Sequence, residues 1–285
     1  MQHSFFNMAH RLSEQFQDHI FSPEYRLFRD AVYKFKLDSL EKIDLRGPKW
    51  NVQQIANKLN ACVTHIRRES QSCKFEAKRF KGHKASRKNQ RGGFRWLDKL
   101  IASHARLLVI RLDLYYKKEF NLTSGHDYAI RIDDCFDQRE QFVRQLPKWI
   151  HDDGLLGYMV KTEFKLRRSL HHHVLLILDG SKLRNAIGIG NMIGDRWVND
   201  ITGGLGAFNN VNMATDPASP NYAIGDLHYS NVGKIDKLKT KVISYLCKPD
   251  YHVQWAISGN HRMFLRSVVK DHMYAVGRPR SIKLN

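Results

Sequence analysis

Residues Leu170-His171-His172-His173-Val174-Leu175-Leu176-Ile177-Leu178-Asp179-Gly180 place five aliphatic side chains in a row between a histidine run and an Asp-Gly turn signal. Such a run is too short for an independent helix and rich enough in Val, Ile and Leu to form a buried strand. Side chains on a strand alternate between faces, so His171 and His173 project to one side, about 7 Å apart, and His172 to the other. Two imidazoles on one face can share one ion. The plainer alternative is a polar strand edge.

A third ligand stands close by in the chain. Leu155 to Phe164 reads as another strand, and 165–169 is short enough to turn the chain back on itself. A hairpin centred near Arg167 sets Glu163 opposite His171 and Lys161 opposite His173, all on one face. A slip of one residue would turn Glu163 away, so its role depends on register. Two imidazoles and a carboxylate suit Mg²⁺ or Mn²⁺ when phosphate oxygens complete the shell, and zinc remains open.

Charge narrows the partner. Among 285 residues there are 47 Lys and Arg against 28 Asp and Glu, a net charge of +19 with a pI near 9.8. That excess favours a polyanion, with nucleic acid ahead of an anionic membrane surface. No apolar run approaches the roughly 20 residues that span a bilayer, and a membrane association is not expected. Met1-Gln-His-Ser-Phe-Phe-Asn-Met lacks the basic-then-apolar pattern of a secretory signal. The scattered Cys62, Cys73, Cys135 and Cys247 read as free thiols of a cytoplasmic protein. A zinc site of Cys62, His65, Cys73 and His83 can be drawn, but its spacing fits no common finger.

Residues 1–100 read as a helical, basic N-terminal region, and 101–285 as a second domain. Pro23-Glu24 opens one amphipathic helix, and a second over 50–66 carries Ile55, Leu59, Cys62, Val63 and Ile66 on one face. From Arg67 to Arg95 cations dominate, among them Arg67, Arg68, Lys78, Arg79, Lys81, Lys84, Arg87 and Lys88, against only Glu69 and Glu76. Such runs are commonly solvated helix faces. Phe75, Phe80, Phe94 and Trp96 lie among them, which also suits gripping a single strand through phosphates and stacked bases.

Arg106 to Tyr116 is a strand, with Leu108, Ile110, Leu112 and Leu114 toward a core and Arg111, Asp113 and Tyr115 on the other face. An amphipathic helix is expected over 133–152, another over 181–197, a long loop over 202–221 and a strand within 222–229. Along 234–248 Ile235, Leu238, Val242 and Leu246 mark an apolar helical face; Lys234, Lys237, Lys241 and Lys248 gather opposite. Tyr245 falls on the border, flanked by Lys241 and Lys248, and Pro249 ends the helix. A tyrosine so placed has a packed ring and a hydroxyl in cationic surroundings. An amphipathic core tyrosine would look the same.

The order of these pieces, with Arg111-Leu-Asp113, Glu163, His171-His-His173 and Tyr245-Leu-Cys-Lys248, resembles the HUH endonuclease superfamily. It looks most like the replication initiators of filamentous phages and their prophage relatives. His172 departs from the hydrophobic residue usual between the two histidines. The likeness covers roughly residues 105–270 and implies an α+β, RRM-like core: a central antiparallel sheet with flanking helices, preceded here by the helical N-terminal region. It also implies a metal-dependent nickase and ligase acting on single-stranded DNA or an origin hairpin to start rolling-circle replication. His171, His173 and Glu163 would hold the ion, Tyr245 would be the nucleophile, and Lys248 would hold the phosphate or favour the phenolate. Arg111 and Lys241 would bind DNA; for the N-terminal cations that role follows from the charge and aromatic pattern above and not from the likeness.

The setting so implied is the cytoplasm of a bacterial host. A host polymerase would extend the freed 3′-OH. No Gly-x-x-x-x-Gly-Lys-Ser/Thr motif is present, so unwinding would fall to a partner helicase or to superhelical strain. Tyr251 is a candidate second nucleophile. Two other readings stay open: a transposase of the same superfamily that handles hairpin ends, and a non-catalytic nucleic-acid-binding regulator on the same fold.

Overall fold

Arg106–Tyr116 (β1), Leu155–Lys165 (β2) and Ser169–Asp179 (β3) form the centre of a six-stranded antiparallel sheet. Gly206–Asn210 (β4), Gly225–His228 (β5) and Phe264–Arg266 (β6) complete it. The order is β4-β1-β3-β2-β6, with β5 also paired to β1. These elements come from a computed structural model that describes residues 19–37, 49–120, 130–151, 154–165, 169–220, 222–248, 253–255 and 262–269.

The chain is α+β and divides into two compact units. The first comprises Met1–Ala85 with Pro249–Asn260. In it Pro23–Lys34 (α1) starts at Ser22, whose hydroxyl accepts from the Tyr25 amide at 3.1 Å, and Pro23 takes a position where no amide is needed. Ala31 and Val32 of α1, with Leu37, pack around Cys62 of Lys49–Ser70 (α2). Val63, expected on that apolar face, is instead 44% exposed. Within α1 only Ala31 and Val32 are buried, with Phe28 partly buried beside them. His19–Phe21 pairs antiparallel with Val253–Trp255.

The second unit comprises Ser86–Lys248 with His261–Asn285. Its sheet is apolar on both faces. Leu108, Ile110, Leu112, Leu114 and Tyr116 meet Ile132–Trp149 (α4), Ala186–Arg196 (α5) and Trp197 on one side. Leu107 and Val109 meet Trp96, Leu97 and Leu100 of Cys73–Ser103 (α3) on the other. The same face receives Leu238, Val242, Ile243 and Leu246 from α6, which runs Val232–Lys237, then a π segment Leu238–Ile243, then a last turn Ser244–Leu246. Burial on both sides is why the middle strand reads as an unbroken aliphatic run.

Several sequence expectations need correction. The units divide within α3, at Ala85/Ser86, and not near residue 100, because Trp96, Leu97 and Leu100 belong to the sheet's core. Trp96 and Phe94 therefore pack against that core and are not rings free to stack on bases, whereas Phe80 is 58% exposed. Helix α5 begins at Ala186, not Ser181, since Asn185 caps it by accepting from the Gly188 amide at 2.8 Å. The stretch expected as a loop over 202–221 contains β4, which lacks β-branched residues but pairs with Leu112–Tyr116. Gly194 permits that pairing: a Cβ there would meet the Phe208 ring of β4 at 2.3 Å. Among the described residues no helix is long and apolar enough to cross a membrane.

Candidate metal and tyrosine site

The β2–β3 hairpin has the register on which the site depends. Lys165 pairs with Ser169, Glu163 with His171 and Lys161 with His173. The turn residues 166–168 lie outside the described residues. Because β3 is buried on both faces, a one-residue slip would exchange its two core-facing sets, and the aliphatic run thereby locks Glu163 beside the histidines.

Glu163, His171 and His173 offer ligand atoms that all lie within 4.8 Å of one another, and among the described residues they are the one such cluster. Glu163 Oε2 stands 3.3 Å from His173 Nε2 and 3.6 Å from His171 Nε2. Both imidazoles are almost fully buried, and Glu163 is partly so. The zinc set drawn from Cys62, His65, Cys73 and His83 forms no such cluster, and all four cysteines are free thiols.

A residue without an assigned role in the sequence completes the arrangement. Asp113 of β1 accepts from His173 Nδ1 at 2.5 Å, and the β1–β3 register places the two directly opposite. That bond fixes the tautomer, so the other nitrogen, Nε2, faces Glu163 and the ion position. Strand alternation already put Asp113 on the Arg111 face. Its pairing with His173 joins strands about 60 residues apart in sequence, for which no local signal exists.

Electrostatics follow from this geometry. Burial would raise the Glu163 carboxyl, but the close His171 imidazole, the hydrogen bond from His173 and the charge of both outweigh it and hold the group well below the usual range. Asp113 is likewise held low against its burial, by the bond from His173 and by the charges of His173, Arg111 and His171. Burial would lower His173, yet its bonds to Asp113 and Glu163 raise it. A divalent cation held by this cluster would have to displace that proton, so any affinity for a cation such as Mn²⁺ should climb with pH and level off above the raised His173 value. Titration calorimetry from pH 5.5 to 8.5 would read this. Asp113→Ala should weaken Mn²⁺ binding by about 10- to 100-fold.

His172 faces the other way, as alternation requires. It is fully buried, edge-on to Trp197, with Nδ1 3.0 Å from Thr162 Oγ1. Arg139, 1% exposed, donates to the same hydroxyl at 3.1 Å and to the Arg262 carbonyl. Burial, then the charges of Arg139, His171 and His173, drive His172 well below the ordinary histidine range, so it stays neutral. The polar residue between the two site histidines is accommodated by this buried layer.

Tyr245 arrives from late in the chain, on the last turn of α6. Its ring centroid lies 5.4 Å from that of His173, with the Arg111 guanidinium 5.0 Å and the Lys248 ammonium 5.7 Å from it. The π segment before it widens the helix by one residue; Thr240 and Ser244 hydroxyls donate to the Asp236 and Lys239 carbonyls. Regular helical phase puts Tyr245 on a lysine border. In the fold the half-buried ring turns to the sheet, and the cations stacked on it are Arg111 and Lys248, while Lys241 is exposed. Burial and the carboxylate of Glu163 raise its phenol, and Arg111 opposes them. Tyr251 lies outside the described residues.

Of the other basic residues, Arg67, Arg68, Lys78, Arg79 and Lys84 lie exposed in the first unit. Arg68 pairs with Glu69 at 3.2 Å, and Arg79 with Glu76 at 3.3 Å and Glu24 at 3.7 Å, so local acids take part of that charge. Arg87 and Lys88 are exposed on the second unit's part of α3, and the Lys81 side chain lies outside the described residues.

Residues 69–264 match the family model described as the YagK/YfjJ C-terminal domain. No curated protein and no solved structure matches the chain.

Proposed function

The chain belongs to the YagK/YfjJ C-terminal domain family, whose model spans every residue of the site just described; from the geometry of that site we propose that it is a metal-dependent nickase and ligase of single-stranded DNA. The biological role proposed is initiation of rolling-circle replication in a bacterial cytoplasm, with a host polymerase and helicase as partners. The single observation that carries this reading is the meeting of a tyrosine ring with the histidine pair: Tyr245 lies 5.4 Å, ring to ring, from His173, itself tied to Asp113 and Glu163.

The donor set fits a hard divalent cation. Two imidazole nitrogens and one carboxylate leave room for phosphate oxygens, and the cation proposed is Mg²⁺ or Mn²⁺. When bound, it supplies Lewis-acid stabilisation of negative charge on the phosphate. The chain's own residues do the rest. Tyr245 Oη attacks phosphorus, the P–O3′ bond breaks, and a 5′-phosphotyrosine and a free 3′-OH result. The phenol proton is balanced by the proton gained at O3′. Arg111 and Lys248, stacked on the ring, favour its phenolate and offer donors to the phosphate. The ester conserves the bond, so attack by a 3′-OH reverses the step and rejoins ends.

The test is a covalent adduct. The full-length chain, mixed with end-labelled single-stranded DNA from a candidate origin and Mn²⁺, should carry label through denaturing electrophoresis and lose it with EDTA. Failure across single-stranded, hairpin and supercoiled substrates would sink the proposal. Adduct formation confined to foldback ends would move the role to a hairpin-processing transposase.

A further inference from the structure

A groove opens on the second unit between α3 and the segment after β6, lined by Gly92, Arg95, Trp96, Lys99, Arg266 and Ser267 among others. Among the described residues three of its lining side chains are cationic and none is acidic. At about 380 Å³ it has the size of a small-molecule site and is roomier than a single ion needs.

Two neutral side chains line the same place. Ser267 Oγ accepts from the Tyr158 amide at 3.0 Å, which pins the hydroxyl and leaves its own proton for another acceptor. Trp96 is 4% exposed, and its indole Nε1 has no acceptor among the described residues, although a buried indole N–H ordinarily finds one. Two glycines keep the groove open. A Cβ at Gly157 would meet the Trp96 ring at 2.6 Å and Ser267 Oγ at 2.9 Å, and one at Gly92 would meet the Arg266 guanidinium at 2.5 Å. Three cations and a hydroxyl whose proton is left for an acceptor together describe a receptor for an anion with several oxygens.

The groove adjoins Gly157 on β2, the strand that carries Glu163 farther along. Six residues of strand separate them, about 20 Å. We propose that the groove is a second phosphate-binding subsite, taking a phosphodiester of the strand whose reacting linkage lies at Tyr245. The identity of the strand rests on the nickase reading; the anion chemistry does not.

Binding to the full-length chain, without metal or turnover, tests it. Fluorescence anisotropy would compare a single-stranded oligonucleotide of about 15 nucleotides with one of about 4. In Arg95→Gln/Lys99→Gln the long probe should bind about 10-fold more weakly, with its log–log salt slope smaller by about 1.4, two contacts at about 0.7 each. The short probe, added where the metal cluster and Tyr245 lie, should be affected much less. Gly92→Ala keeps every charge, improves helix propensity and displaces only the tip of Arg266, so it should fold normally and weaken the long probe about 3-fold. Equal losses on both probes, no loss on either, or an unchanged Gly92→Ala would overturn the subsite. Inorganic phosphate competing at micromolar concentration, where sulfate does not, would assign the groove to free phosphate and overturn it as a strand contact. A wild-type chain with the expected length dependence but no covalent adduct would overturn the nickase reading and leave the groove standing.

Discussion

Tyr245→Phe is expected to abolish covalent attachment to DNA, lowering strand cleavage by roughly four orders of magnitude or more while leaving affinity for the oligonucleotide within a few-fold. The asymmetry follows from what the substitution removes. The phenylalanine ring retains the contacts with His173, Arg111 and Lys248, which involve the face and edge of the ring and not its hydroxyl. Only the oxygen proposed as the nucleophile is lost, and among the described residues no second tyrosine ring lies against the histidine pair. Denaturing electrophoresis with a labelled strand, run beside anisotropy on the same preparation, separates chemistry from binding. An adduct that persists in Tyr245→Phe at near wild-type yield would show the nucleophile to be another residue, with Tyr251 the first to replace.

His173→Ala should act on two levels. Loss of one ligand of three is expected to weaken Mn²⁺ binding by more than about 100-fold and to abolish metal-dependent adduct formation. The metal-free protein should also lose stability, on the order of 2 kcal/mol, because the imidazolium is held between Asp113 and Glu163 by bonds to charged groups.

The pH dependence has a definite sign. His173 has a folded pKa raised above its ordinary value of 6.5, so its contribution is complete below that value and is lost as pH rises through the raised one. Asp113 and Glu163 are depressed from 3.8 and 4.5, so theirs are complete above those values and are lost as pH falls through the folded ones. The gap between wild type and His173→Ala should therefore be widest between about pH 4.5 and 6.5 and shrink on the alkaline side. Urea unfolding of both proteins in EDTA at pH 5.5 and 8.5 measures it. A gap that widens at pH 8.5 would contradict the ion-pair account.

Both substitutions act on a site that local patterning made partly visible. Alternation on β3 separates His171 and His173 from His172, and the short connection of the hairpin sets Glu163 opposite His171, so three ligands follow from pairs close in sequence. Asp113 sits opposite His173 only because β1 inserts beside β3, and β4 follows only because β1 has an open edge for it. Neither pairing leaves a trace within a sequence window. The basic, aromatic run after Arg67 left two readings open for the same reason. Its cations are exposed as a polar helix face requires, but whether Trp96 stacks on a base or fills a core depends on which surface α3 covers.

What the sequence determined by itself is what nearest neighbours along the chain decide: an aliphatic strand, its hairpin partner, the face on which two imidazoles and a carboxylate meet, and the charge that points to a polyanion. Only the tertiary structure decided which distant groups close on that face. Tyr245 reaches His173 through the phase shift of a π segment and the seating of α6 on the sheet, and Asp113 reaches it through non-consecutive strand pairing. Periodicity carries information over a few residues, whereas the contacts that bring Tyr245 and Asp113 to the Glu163–His171–His173 cluster are set by how whole elements bury their apolar faces.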